Sequence, residues 1–174
     1  KVSNLKNTLA IVDTMGDKTN AVLYREKPAD LFIDETFLKK VNLDSYLMII
    51  VTGTSLSRNP SRNNVLKLME LAIKRKIEIV LDIDYREGSW NDKKKAEKTL
   101  YSASLLSNIV VGNDLEFNFM SSDKNRGLSL ASKLSKKNRI TTIYKMGSKG
   151  LYYFNKNNKH YFKSFKVKSI KPTG

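Results

Sequence analysis

Apolar residues recur along this chain with two different spacings. Residues 8–14 (TLAIVDT) and 19–24 (TNAVLY) are β-rich runs joined by Met15, Gly16, Asp17 and Lys18, which predicts a hairpin. Asp34 stands where a helix N-cap belongs, ahead of a short helix reaching about Val41. Residues 46–51 (YLMIIV) are almost wholly apolar, the pattern of a strand buried on both faces in a sheet that helices cover on both sides. Beyond Pro60, Ser61 precedes apolar positions at Val65, Met69, Ala72 and Ile73, which is helical spacing. The alternation then repeats: a strand over 77–83, a helix over about 92–106, a strand over 108–111, helices over 113–120 and about 126–137, and a strand over 139–145. Residues 152–154 and 161–167, separated by the polar 155–159, predict a closing antiparallel hairpin.

Strands alternating with helices mean βαβ crossovers, so the expected class is α/β with a mainly parallel sheet. No repeat of 20 to 50 residues and no low-complexity linker divides the chain. Residues 1–30 are expected to form a small β flap and its connection, and residues 31–174 an α/β core. Open α/β sheets bind ligands beyond the carboxyl ends of their strands. Residues 52–55, 84–90, 112–116 and 146–150 fall there, and each stretch carries glycine or polar residues unusual for a plain connection.

Composition narrows the classes. With 174 residues the chain suffices for one domain of ordinary size. The absence of cysteine removes disulfide scaffolds, thiolate zinc sites and thiol nucleophiles together. The first residues lack the apolar core of a secretory signal, and no window approaches the ~18 apolar residues of a spanning helix, so a cytoplasmic protein away from membranes is expected. The net charge of +15 is unevenly placed: residues 124–174 hold 14 basic residues and no acid, while residues 1–123 hold 18 bases against 17 acids. The last third therefore faces something anionic, or reflects a lysine- and asparagine-rich composition. A basic nucleic-acid-binding module is one reading, with Tyr152, Tyr153, Tyr161 and Phe162 interleaved among the bases, although a hairpin with one buried face explains the same spacing.

The most specific stretch is Asp82-Ile83-Asp84-Tyr85-Arg86-Glu87-Gly88-Ser89-Trp90. It resembles the D-x-N-x-R-x-x-x-W segment of ribokinase-like (PfkB) carbohydrate kinases, with Asp84 in place of the common Asn. That D-I-D-Y-R form is similar to one branch, the 5-dehydro-2-deoxygluconokinases of myo-inositol catabolism. Other pieces follow in family order: Gly53-Thr54, then Asn113-x-x-Glu116, then Lys145-Met146-Gly147-Ser148-Lys149-Gly150 as K-x-G-x-x-G, and Lys171-Pro172-Thr173-Gly174 as the opening of an anion-hole motif. Tyr24-Arg25 with Ala29-Asp30-Leu31 is also similar to that branch.

The resemblance implies a three-layer α/β/α fold with a β lid, truncated at both ends, and a phosphotransferase using ATP and Mg²⁺ on a keto-sugar acid. It implies substrate contacts from Tyr24, Arg25, Asp84 and Arg86, nucleotide contacts from Asn113, Lys145, Gly147, Gly150 and Thr173, and Mg²⁺ placed through water by Glu116. The anion hole would begin at Gly174 and the catalytic Asp would lie beyond it, so the chain as given is expected to be inactive. The β lid is where two copies would meet. Within the family the alternative is a 2-keto-3-deoxygluconate kinase, from which Asp84 points away. Nucleic acid is not an expected partner under this resemblance.

Each residue also has a plainer reading. Arg86 sits where an apolar strand ends, so it either pairs with Asp82 or Asp84 or binds an external anion. Asn113 with Glu116 is a capping box by spacing, Gly147 to Gly150 is by itself a turn, and Arg25 is a solvated charge at a hairpin edge. Trp90 reads as a packing residue. His160, the only histidine, has no partner spacing for a metal or a triad.

Overall fold

The computed structural model describes residues 4–15, 18–123, 125–138 and 140–166. The first hairpin forms a two-stranded antiparallel sheet of its own, β1 (Leu9–Met15) with β2 (Lys18–Tyr24), in register from Leu9 opposite Tyr24 to Met15 opposite Lys18. The two ends of the hairpin are joined at its base by a bridge between Lys6 and Pro28 and by the Ala29 N–H donating to the Lys6 carbonyl at 2.8 Å.

The remaining six strands make one sheet whose spatial order is their sequence order: β3 (Met48–Thr52), β4 (Glu78–Asp82), β5 (Ile109–Asn113), β6 (Thr141–Lys145), β7 (Leu151–Asn155) and β8 (Asn158–Phe162). The first four are parallel and the last two turn back antiparallel. The helices are α1 (Glu35–Lys40), α2 (Ser61–Lys74), α3 (Lys93–Leu105), α4 (Asp114–Met120) and α5 (Gly127–Asn138). Asp34 caps α1 by accepting the Phe37 N–H, and Asp92 caps α3 by accepting the N–H groups of Lys94 and Lys95.

Parallel crossovers are right-handed, so strands added in sequence order receive their helices on the same face. Alternation along the strands records this. Ile79, Leu81, Val110 and Tyr144 are buried against the helical layer with Val65, Met69, Leu100, Ala131 and Leu134. The buried Thr142 hydroxyl of β6 donates to the Ala131 carbonyl of α5 at 3.0 Å. The opposite side chains, such as Val80, Ile109 and Ile143, are only half-buried. The mostly parallel sheet with its helices is the architecture expected from the alternation of elements; helices on the second face are not among the described residues.

One expectation is overturned here. Among the described residues the apolar run 46–51 is not a doubly buried strand: β3 is the edge of the sheet, with Leu47 92% and Ile50 72% exposed, and of its residues only Val51 is buried. The run is apolar on both sides, but the described residues cover it on one. The closing hairpin also sits earlier than expected, since β8 begins at Asn158 and ends at Phe162. Among the described residues no helix is long and apolar enough to cross a membrane.

Candidate functional site

The carboxyl ends of β3 to β6 lie side by side because the register places Thr52 next to Asp82, Asp82 next to Val111, and Asn113 next to Lys145. Backbone contact draws the first two loops together. Gly53 follows β3 so closely under the next strand that a Cβ built there would lie 1.9 Å from the Ile83 carbonyl oxygen. This proximity lets the Thr54 hydroxyl donate to Asp84 Oδ2 at 3.2 Å.

Asp84 adopts φ of 31°, a left-handed conformation that a residue other than glycine holds only when its surroundings enforce it. Its other oxygen, Oδ1, receives Arg86 Nη2 at 2.9 Å. Of the two fates open to Arg86 from sequence, the structure displays the ion pair with Asp84. The Arg86 side chain is nonetheless 57% exposed, so its guanidinium retains donors for a further acceptor.

On the next strand, the Asn113 side chain accepts the Glu116 N–H at 2.9 Å while Glu116 Oε2 accepts the Asn113 N–H at 2.7 Å, a complete capping box at the start of α4. The capping reading is therefore realised, and it places a buried carboxylate at this end of the sheet. Burial pushes the Glu116 carboxyl above the ordinary carboxylate value; the Asn113 N–H and Lys145 oppose this, and Asp82 and Asp84 add to it. Glu116 thus senses charges from β4 and β6 as well as its own loop. Arg86, Asn113 and Glu116 line one cleft of about 740 Å³, whose wall includes Tyr85 stacked on Phe119 with ring centroids 3.7 Å apart.

After Lys145 the chain turns at once: Gly147–Lys149 is a single 3-10 turn, closed by the Met146 N–H donating to the Gly150 carbonyl at 2.8 Å. Gly150 has φ of 88° and lies against the Phe162 carbonyl, where a Cβ would come within 2.1 Å. Gly147 is also left-handed, but nothing lies within 4 Å of where its Cβ would be, so its backbone faces open space.

From the flap, Arg25 departs from the solvated edge charge read from sequence. Its side chain is 9% exposed, pairs with Asp30, and donates through Nη1 to Ser89 Oγ at 3.3 Å. It therefore reaches the segment that carries Arg86 without touching Arg86 itself. Tyr24 is exposed. Trp90 packs into the core as expected. Thr173 and Gly174 lie outside the described residues. Thr54, Ser89 and the Tyr85–Phe119 stack did not stand out as site residues from sequence. For Phe119 the available signal was an aromatic residue one turn beyond Glu116 on the same helix.

Among the described residues no group of three or more His, Asp or Glu side chains is arranged to hold a metal ion. Glu116, with one oxygen held by the Asn113 N–H, fits a hydrated Mg²⁺ contacted through water, which such an ion tolerates, and not a protein cage. The aromatic residues of the last hairpin pack on one another, Tyr152 against Tyr161 at 5.3 Å and against Phe154 at 6.0 Å, and nothing supports a nucleic-acid module.

A mostly parallel sheet with charged and glycine-bearing loops gathered at its carboxyl end is the architecture of solved sugar kinases. The fold is shared with fructokinase from Vibrio cholerae O395 bound to fructose, ADP and potassium ion (TM-score 0.78, 18% identity, 99% of this chain and 55% of that one). It is shared equally with an uncharacterised sugar kinase from Pyrococcus horikoshii (TM-score 0.80, 21% identity, 100% of this chain and 54% of that one). Residues 2–174 match the pfkB family of carbohydrate kinases, and the chain belongs to that family. Among curated relatives, 5-dehydro-2-deoxygluconokinase of Photobacterium profundum is 31% identical over 178 residues, covering 99% of this chain and 54% of its own length. The enzyme of that name from Bacillus licheniformis is 30% identical over 164 residues, 91% of this chain and 49% of its own. The chain spans about half the length of the curated relatives it matches.

Proposed function

We propose that this chain forms the strand-end face of an ATP-dependent carbohydrate kinase whose acceptor is a keto-sugar acid, 5-dehydro-2-deoxygluconate. The observation that carries the reading is the partly exposed Arg86, oriented by Asp84 and opening onto the same cleft as Glu116. A guanidinium offers a substrate carboxylate two parallel donors, and one already steered by an aspartate loses less freedom on binding. Arg25, buried against Ser89, positions the flap over that segment, and Tyr24 is the flap residue assigned to the sugar.

On the nucleotide side, Asn113, Lys145, Gly147, Gly150 and Thr173 are assigned to the phosphates. Lys145 supplies a positive charge, and the open backbone at Gly147 admits an anion close to its N–H groups. Mg²⁺, when bound, neutralises phosphate charge, and Glu116 is the residue assigned to its water shell. In such transfers positioning and electrostatics supply most of the rate. The base and the anion hole, the latter beginning at Gly174, are assigned to the sequence that follows Thr173. The names of the curated relatives support the keto-sugar acid branch, and 2-keto-3-deoxygluconate is the competing substrate.

The test is a coupled ADP-release assay on the intact protein with each acid in turn. Turnover of 5-dehydro-2-deoxygluconate with a higher kcat/KM than that of 2-keto-3-deoxygluconate is expected. The reverse order overturns the substrate assignment, and turnover of neither overturns the keto-sugar acid reading.

A further inference from the structure

Behind the Asp82–Trp90 segment lies a second hollow, of about 420 Å³, which the proposed kinase chemistry does not use. Its walls come from the 57–62 turn that opens α2 and from residues 90–95 that open α3, and they carry Arg58, Arg62, Trp90 and Lys95. Trp90 is only 8% exposed, yet its buried indole N–H has no acceptor among the described residues, and neither does the buried Nε of Arg58. Buried donors are almost always satisfied, and two such donors lining one hollow are placed to meet an acceptor that the described residues do not supply.

Charge points the same way. Arg62 lies over the Trp90 ring at 5.4 Å and donates through Nε and Nη2 to the backbone carbonyls of Leu56 and Ser57, with no carboxylate paired to it among the described residues. Burial alone pulls its guanidinium below the ordinary arginine value. Arg58 and Lys95 have no ion-pair partner among the described residues. The one acid in the wall, Asp92, uses Oδ1 to accept the N–H groups of Lys94 and Lys95 at 2.8 and 3.1 Å, so its single charge stands against those of Arg58, Arg62 and Lys95. Three lysines, Lys93 to Lys95, open α3 where the helix dipole favours negative charge, and among the described residues only Lys93 is paired, with Glu87 at 2.5 Å.

We propose that this hollow is a second anion site, which takes a phosphate-sized oxyanion, free or carried on a small metabolite, between Arg58, the Trp90 indole and the start of α3. Arg86 and Glu116 do not line it, so it is separate from the cleft assigned to catalysis and stands or falls independently of that assignment. Trp90 and Ser89 adjoin, and Ser89 receives Arg25, so an anion held here would fix the segment on which both substrate-facing arginines rest.

Trp90 is the only tryptophan of the 174-residue chain and reports on its own site. Inorganic phosphate and glucose 6-phosphate are each titrated at constant ionic strength with sodium chloride as the control. Trp90 emission is followed, with a Trp90→Phe variant assigning the signal. A saturable change with either phosphate, weakened about tenfold or more in Arg58→Gln or Lys95→Gln and retained in Arg86→Ala, is expected for lost charge-assisted contacts. Saturation by inorganic phosphate identifies the free ion as sufficient; saturation by the sugar phosphate alone identifies a carried group. No saturable change with either, a change equal in sodium chloride, or one that survives Arg58→Gln and Lys95→Gln but is lost in Arg86→Ala, overturns the site.

Discussion

Asp84 is constrained from three directions: a left-handed backbone, the Thr54 hydroxyl on one oxygen and Arg86 on the other. A conformation of that kind costs on the order of 1–3 kcal/mol unless contacts enforce it, so the pair with Arg86 forms part of how the loop is set. Arg86→Ala in the intact protein is expected to raise KM for the sugar acid about tenfold or more, the loss typical of a charge-assisted contact, with KM for ATP nearly unchanged. Steady-state kinetics in both substrates decides it, and unchanged values for both would reduce Arg86 to a partner for Asp84. Glu116 offers a second measurement. Its folded pKa is raised chiefly by burial, so the folded state holds that proton more tightly than the unfolded state. The resulting stability is present below the ordinary carboxylate value and is lost as pH rises through the folded value. Glu116→Gln keeps an acceptor for the Asn113 N–H and removes the titration. The stability of the parent relative to this variant, from urea midpoints, is therefore expected to fall with rising pH across that window. Legibility at this scale followed sequence distance. The Asn113–Glu116 box spans three residues and is visible in the sequence, whereas the Arg25–Ser89 contact joins positions 64 apart, and no local pattern announces it.

The order of elements was readable, because short apolar runs alternate with segments of helical spacing along the chain. β4, β5 and β6 alternate in their burial, though apolar Val80, Ile109 and Ile143 stand on the half-buried face, and α3 and α4 are announced by the side-chain caps Asp92 and Asn113. β3 was misread because an apolar run states that both faces want cover without stating what provides it. The junction after β3 is the most demanding point. Gly53→Ala would drive a Cβ to 1.9 Å from the Ile83 carbonyl and 2.8 Å from Leu100 Cδ2. Because the first of these is backbone and cannot swing aside, a loss of more than about 2 kcal/mol is expected in urea unfolding. A loss below half that value would mean the two strand ends separate more readily than their contact implies.

At the scale of the whole chain, one sheet face is closed by helices among the described residues, and β3 has no strand on its outer side there, beside exposed Leu47, Met48 and Ile50. Unpaired edges flanked by apolar side chains invite pairing with another copy. Sedimentation velocity of the 174-residue chain over a concentration series is expected to show self-association, and Ile50→Lys to reduce it. An identical concentration dependence in that variant would place the contact elsewhere, with the exposed Leu9, Ile11 and Val22 of the flap next in line.

The strand order has a consequence for synthesis. From β4 to β8 each strand pairs with the strand made just before it, and the parallel strands β4, β5 and β6 are each preceded by the helix or helices that cross over to them. In a nascent chain emerging amino end first, every strand from β4 onward therefore finds one partner already made. Each parallel addition closes only the one helical crossover that precedes it, and loop-closure entropy grows slowly with length, so the growing edge stays exposed only until the next strand arrives. The sheet is thus laid down in reading order, and a pause in translation between β4 and β5 would leave behind a smaller sheet already paired in its final register.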